Sequence, residues 1–201
     1  METKTPQNNP LKQKDLVGMM GNFINPRLVA LSWGINMGDK IADLGCGGGY
    51  FTIPLAHLVG KGGKVFAVDV MEGPIEAVRS RVAMEKLENV VIIRSDLEQK
   101  DSLKSYIEKE ACQWVVLVNV LYTSKKTPAI LKEASRILAP KGKLVIVDWE
   151  KKPKKAFLNF GPPLETRLGS TEAKTLAQKA GFKFLKSFEV GKFHFGVMFS
   201  K

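Results

Sequence analysis

The chain has few of the residues that build covalent or metal-held scaffolds. Two cysteines, Cys46 and Cys112, and two histidines, His57 and His194, are spread over 201 residues. A disulfide framework and a Cys/His metal centre are therefore not expected, and no metal is assigned. So few thiols suit a reducing, cytoplasmic compartment. Long apolar runs are missing too: none reaches the ~18 residues that span a bilayer. The opening stretch METKTPQNNPLKQKD has no apolar segment of the secretory kind. No internal repeat or low-complexity tract is present. What remains is an ordinary globular composition, 44% hydrophobic and 25% charged, at a length that suits one domain with short additions.

Charge is plentiful and uneven. The net charge is +11, and residues 151–201 supply +8 of it through 11 basic and 3 acidic side chains. A patch for an anionic partner is one reading. A solvated lysine surface is the plainer one, because lysine provides 25 of the 31 positive charges whereas arginine is the better bidentate phosphate ligand. Nucleic acid is thus a possible partner but not the favoured one.

Residues 1–15 read as a polar arm. Residues 16–24 read as a short helix or flap carrying Met19 and Met20. A helix over Pro26–Trp33 is expected, capped by Asn25 and closed by Gly34. From residue 40 the pattern becomes regular. Apolar strands at 40–45, 64–70, 89–96, 114–120 and 143–149 alternate with helical patterns at 51–60, 74–87, 101–111 and 127–138. A turn, Pro-Lys-Gly at 140–142, precedes the fifth strand. Continuous apolar strands separated by amphipathic helices indicate a parallel sheet covered on both faces. Residues 150–169 read as a long loop containing Gly161-Pro162-Pro163. A helix over 170–182, capped by Ser170 or Thr171, and two strands joined near Gly191 complete the chain. Phe193, Phe195, Val197 and Phe199 alternate, which predicts a last strand with two unlike faces.

The segment richest in chemical meaning is IADLGCGGGYFT, residues 41–52. Gly45, Gly47 and Gly49 follow a strand and precede a helix, where a ligand can approach main-chain N–H groups. The dinucleotide pattern G-x-G-x-x-G fails here: its last position falls on Tyr50 when counted from Gly45 and on Thr52 when counted from Gly47. The pattern that fits is D-x-G-x-G-x-G, with Asp43 ahead of the loop. A carboxylate there repels a pyrophosphate and attracts a cation. S-adenosyl-L-methionine carries a sulfonium and an ammonium and has no phosphate.

Residues 40–149 resemble the class I S-adenosylmethionine-dependent methyltransferases, and most of all their small-molecule, ubiquinone/menaquinone-type branch. ADLGCGGG, VFAVDV ending near Asp69, Ser95-Asp96-Leu97, WVVLVNVLY and LKEASRILAPKGKLVIVDW match that family in order and spacing. The resemblance implies a Rossmann-like, mostly parallel seven-stranded α/β sheet, with helices on both faces and an antiparallel C-terminal strand. It divides the chain into an arm and cap helix (1–35) and a methyltransferase domain (36–201), with 150–169 on the substrate side. It also implies a cofactor site. Asp43 would orient the ammonium end, beside the main chain of Gly45, Cys46, Gly47 and Gly49. Asp69 would accept the ribose hydroxyls, and Val70 and Met71 would pack on adenine. Asp96, with Ser95 and Leu97 beside it, would meet the adenine edge. Asn119 would face the methionine portion.

The methyl acceptor is less clearly written. Methyl transfer needs a positioned nucleophile more than a catalytic acid or base, so no residue is compelled to be catalytic. Tyr122 and Asp148, at strand ends, are the candidates, with Trp149 and Tyr50 beside them. A capping role is the plainer reading of Asp148, and a satisfied or exposed ring that of His57 and His194. Asn119-Val120-Leu121-Tyr122 lacks the paired prolines of base-methylating enzymes, and two thiols are too few for arsenite chemistry. A small-molecule acceptor is expected. An RNA or protein methyltransferase using Lys151, Lys152, Lys154 and Lys155, and a non-catalytic nucleotide-binding protein of the same fold, are the alternatives.

Overall fold

The computed structural model describes residues 23–151 and 160–201. Met19, Met20, Lys152, Lys154 and Lys155 lie outside the described residues. The element order is α1 (Pro26–Leu31), β1 (Lys40–Leu44), α2 (Thr52–Val59), β2 (Lys64–Asp69), α3 (Glu72–Met84), β3 (Val90–Arg94), β4 (Cys112–Val118), α4 (Thr127–Ile137), β5 (Leu138–Trp149), a 3-10 turn (Leu164–Thr166), α5 (Ser170–Lys179), β6 (Lys183–Val190) and β7 (His194–Ser200). The seven strands form one sheet in the order β3-β2-β1-β4-β5-β7-β6. Strand β7 pairs antiparallel with β5 and β6, and the pairs on the other side are parallel.

Both faces of the sheet are covered, so the central strands β1 and β4 are mostly apolar, with Asp43 the one buried charge in β1. On one face Ala42, Leu44, Val115 and Leu117 pack with Ile130 and Ala134 of α4 and Ala173 and Ala177 of α5. On the other, Ile41, Val65, Trp114 and Val116 pack with Ala30 and Trp33 and with Leu55 and Val59 of α2. A fully buried aliphatic of this kind contributes about 1.5–3 kcal/mol by leaving water. Strand β1 has β2 on one side and β4 on the other. The chain winds outward in both directions from this point, so the connections leaving the carboxyl ends of β1 and β4 diverge and open a crevice.

Several local expectations are corrected. No helix forms over 101–111. Asp101 and Glu110 have φ of 56° and 60°, which interrupts right-handed helix at both ends. One tight stretch remains, held by Ile107 N–H on Leu103 O at 2.8 Å, and it buries Leu103 and Ile107. The Pro-Lys-Gly stretch is not a separate turn. Lys141, at φ 65°, makes an irregularity within β5, whose pairing with β4 shifts register between Cys112 and Trp114. Helix α5 has no side-chain cap: Gly169 stands at that position with φ 77°. The last strand has two unlike faces as expected, Phe195, Val197 and Phe199 on one side and Gly196 and Met198 on the other, and residues 195–199 are all buried. The cap of α1 is as expected, with Leu28 N–H donating to Asn25 Oδ1 at 3.1 Å.

Residues 160–169 are tied down by a buried cation. Arg167 is 2% exposed, and its guanidinium donates to the carbonyls of Pro162 at 2.9 Å, Glu150 at 3.1 Å and Phe160. Its charge also lies over the Trp149 ring at 5.6 Å. His194 departs from the satisfied-or-exposed expectation. Its ring lies against that of Trp149, centroids 4.1 Å apart and tilted by 36°, and both ring nitrogens are buried without a hydrogen-bond partner among the described residues. Burial, with Arg167 nearby, pushes its pKa down to about 4, so the ring is neutral. His57 is satisfied as expected, with Nε2 2.7 Å from Glu85.

Candidate functional site

A crevice of about 640 Å³ opens at the carboxyl ends of β1, β2 and β4. The glycine loop forms its floor. Gly45 and Cys46 donate their N–H groups to Val68 O at 2.7 and 2.9 Å, which turns the chain sharply away from β1. Gly45 has φ 75°, and a Cβ there would lie 2.4 Å from Val120 Cγ2, so the loop needs glycine twice over. At Gly47, φ 52°, a Cβ would meet nothing within 4 Å: this stretch of main chain is open to a ligand. Gly49 is different. It does not line the crevice, and a Cβ on it would press Val78 of α3 at 3.2 Å. Its expected place beside a cofactor is corrected to a packing role between the loop and α3.

Two carboxylates stand at the floor. Asp69 ends β2, where Oδ2 accepts from Gly47 N–H at 2.9 Å and Oδ1 from Met71 N–H at 3.0 Å. Each oxygen has lone-pair capacity left for a hydroxyl. Asp43 is 2% exposed, and its Oδ2 accepts from Thr52 Oγ1 at 2.6 Å. Burial first, and the Asp69 charge as well, push the Asp43 pKa up to about 6, against the Thr52 hydrogen bond that lowers it. The Cys46 thiol beside them is pushed well above its usual range by burial and by both carboxylates, so it stays neutral.

The other walls come from β3 and β4. Asp96 shapes a turn: Oδ1 accepts from Glu98 N–H at 2.9 Å and Oδ2 from Gln99 Nε2 at 3.1 Å. Ser95 lines the crevice, but its hydroxyl donates to Ser102 O at 2.9 Å. Leu97 is nearly buried, whereas Val70 and Met71 are 52% and 62% exposed and form an apolar shelf at the rim. Asn119 follows β4 with φ 56°, and its N–H donates to Val147 O at 2.9 Å. Its Oδ1 is buried and lacks a hydrogen-bond partner among the described residues. Beside the crevice, such an acceptor is available to a donor entering from it.

Tyr122 and Asp148 do not line this crevice. Asp148 is fully buried: Oδ2 accepts from the N–H groups of Leu121 at 3.0 Å and Tyr122 at 3.2 Å, and Oδ1 from Trp149 at 2.8 Å. It anchors the turn after β4 and is not aimed at a substrate. The Tyr122 hydroxyl is pushed up by burial and by Asp148, which makes it a weaker acid. Residues that sequence reasoning missed include Glu98, which lines the crevice and accepts from Ser124 Oγ at 2.9 Å and Lys125 N–H at 2.8 Å. The Ser124 hydroxyl, foremost, holds its carboxyl below the usual range. Tyr50 also lines the crevice and donates to Ile24 O at 2.5 Å, tying the chain before α1 to the glycine loop.

The methyltransferase domain profile matches residues 35–181, most of the chain. The chain belongs to that family. A methyltransferase from Aquifex aeolicus that depends on S-adenosylmethionine superposes with a TM-score of 0.80 and 25% identity, over 90% of this chain and 92% of the other. Among curated proteins, the demethylmenaquinone methyltransferase of Symbiobacterium thermophilum is 29% identical over 124 residues, 62% of this chain and 47% of the relative. That of Lactococcus lactis is 30% identical over 119 residues, 56% and 44% of the two chains. The match thus spans about half the length of these relatives. Aeropyrum pernix fibrillarin, solved with S-adenosyl-L-methionine bound, shares the fold at a TM-score of 0.65 and 13% identity. S-adenosyl-L-methionine is the cofactor of this family, and the crevice fits it: two acids, an orphaned acceptor on Asn119 and an open glycine floor suit a cationic adenosine derivative.

Proposed function

We propose that the protein transfers a methyl group from S-adenosyl-L-methionine to a small-molecule acceptor, leaving S-adenosyl-L-homocysteine. The observation that carries this reading is electrostatic. Asp43 and Asp69 share one crevice floor, each near enough to act on the Cys46 thiol, and Asp43 has no cationic side chain among the interactions resolved on it. Two carboxylates close enough to interact without a counter-ion are costly. A ligand bearing an ammonium and a sulfonium relieves that cost, whereas a dinucleotide pyrophosphate would raise it.

When bound, the cofactor supplies an electrophilic methyl group whose leaving group is a neutral thioether. The chain's own residues bind and orient. The Asp69 carboxylate takes the ribose hydroxyls, while its grip on the Gly47 and Met71 N–H groups keeps the loop in shape. Val70 and Met71 cover one face of adenine, and Asp96 with the Leu97 main chain reads its edge. Asp43 and Asn119 hold the amino-acid end. The reaction needs alignment and exclusion of water more than a general base, so none is assigned.

The small-molecule acceptor is supported by the curated relatives, which carry the name demethylmenaquinone methyltransferase. Residues 1–30 and 150–169 are proposed to close over the acceptor, Arg167 holding Glu150, Phe160 and Pro162 of the second stretch. A reducing, cytoplasmic setting suits the free thiols of Cys46 and Cys112. Calorimetric titration with S-adenosylhomocysteine tests the reading. The wild-type chain should bind, and Asp69→Ala should lose roughly tenfold to a hundredfold in affinity, the worth of hydrogen bonds to a charged acceptor. Absence of binding together with tight NAD binding would overturn it. A screen of quinols and other small acceptors with methyl-labelled cofactor then identifies the product.

A further inference from the structure

Asp43 lines the crevice from β1, and Thr52 is the first residue of α2, directly behind the glycine loop. Thr52 has no exposed surface and does not line the crevice. Its hydroxyl nevertheless reaches Asp43 Oδ2 at 2.6 Å, a length typical of a hydrogen bond to a charged oxygen. Burial and the charge of Asp69 work against its ionisation. Its register neighbours on β2 and β4 are Ala67 and Val116, which are apolar. From the end of β2 comes the like charge of Asp69, and from the loop the neutral Cys46 thiol. Among the interactions resolved on Asp43, Thr52 alone favours the anion.

We propose that Thr52 is a positioning residue: its buried hydroxyl keeps the Asp43 carboxylate ionised and fixed at the crevice wall, ready for the ammonium of the cofactor's amino-acid end. This rests on the reading that the crevice takes S-adenosylmethionine. Thr52 touches no ligand and acts through Asp43. A valine at this position has nearly the same shape but no donor, whereas a serine keeps the donor.

The test compares two ligands on wild type, Thr52→Val and Thr52→Ser by calorimetry between about pH 5 and about pH 7.5, a window spanning the Asp43 titration. S-adenosylhomocysteine carries the ammonium, and 5′-methylthioadenosine lacks the amino-acid end. Wild-type affinity for S-adenosylhomocysteine should rise as Asp43 loses its proton near pH 6. In Thr52→Val the rise should move to higher pH, leaving affinity near pH 7 about tenfold lower. Methylthioadenosine should bind both proteins alike, Thr52→Ser should restore the wild-type profile, and Asp43→Asn should remove the rise. A loss in Thr52→Val that is equal at every pH, or shared by methylthioadenosine, means a merely structural role and overturns the proposal. So does an unchanged profile. If valine prevents folding, Thr52→Ala reads the same profile. Failure of the wild-type chain to bind either ligand would instead sink the cofactor reading, so the two failures are distinguishable.

Discussion

Asn119 combines two unfavourable features, a left-handed backbone at φ 56° and a buried Oδ1 without a partner among the described residues. Asparagine tolerates that backbone better than most residues, but glycine tolerates it best. Asn119→Gly should therefore keep or slightly raise the melting temperature. The same variant should weaken S-adenosylhomocysteine binding about tenfold, because the orphaned acceptor is gone. Thermal melts and calorimetry on one preparation check both halves, and a parallel loss of stability and affinity would count against a ligand-facing amide. Asp148 predicts the opposite pattern. It holds three backbone N–H groups and does not line the crevice, so Asp148→Ala should cost roughly 2–4 kcal/mol in denaturant unfolding through buried donors left unpaired.

Among the elements, the glycine loop and the residues before α5 are the most sharply constrained. Gly45→Ala asks for an L-residue at φ 75° and drives a Cβ to 2.4 Å from Val120. The loop must shift, so S-adenosylhomocysteine binding should fall by more than about tenfold while the fold survives, as circular dichroism would show. Arg167 staples Glu150, Phe160 and Pro162 through their carbonyls. Arg167→Met keeps the packing volume and removes the staple. It should free residues 160–167, read as loss of amide-exchange protection there, with cofactor binding unchanged because Arg167 does not line the crevice. If acceptor turnover fell in that variant while cofactor affinity held, the stretch would be tied to the acceptor side.

For the molecule as a whole, the raised carboxyls give a pH signature. Asp43 and Asp148 are each pushed up to about 6, burial being the main cause. Their folded forms hold protons more tightly than the unfolded chain does. The stability each contributes is therefore fully present below the ordinary carboxylate range, near pH 4, and is lost as pH rises through 6. Asp43→Asn removes one such group. The stability of wild type relative to Asp43→Asn should fall by about 2–3 kcal/mol between pH 4 and pH 7 in the free protein, because each tenfold difference in proton affinity between folded and unfolded chains is worth about 1.4 kcal/mol. Saturating S-adenosylhomocysteine should narrow that gap at pH 7, since its ammonium stabilises the anion. A flat difference across this range would show that Asp43 is not held in an unfavourable charge state.

The alternation of apolar strands with amphipathic helices, the glycine loop after β1 and the acids at the ends of β1 and β2 are all local patterns, readable within windows of about a dozen residues. Local sequence alone therefore determined the alternation of strands and helices around β1 and β2 and the place of the glycine loop, while the seven-stranded sheet was implied by the family resemblance. Other features depend on residues far apart in the chain. Glu98 meets Ser124 across 26 residues, and Arg167 meets Glu150 across 17. The stretch over 101–111 has helical spacing at Leu103 and Ile107 but lacks the length to offset the cost of nucleation once its ends are turned aside. The alternation of Phe195, Val197 and Phe199 marks the two faces of β7, but that both faces are covered is set by the core on either side of the sheet. Only tertiary structure decided which polar groups became partners and which, like Asn119 Oδ1, were left without one among the described residues, because burial and hydrogen-bond satisfaction are set by neighbours in space.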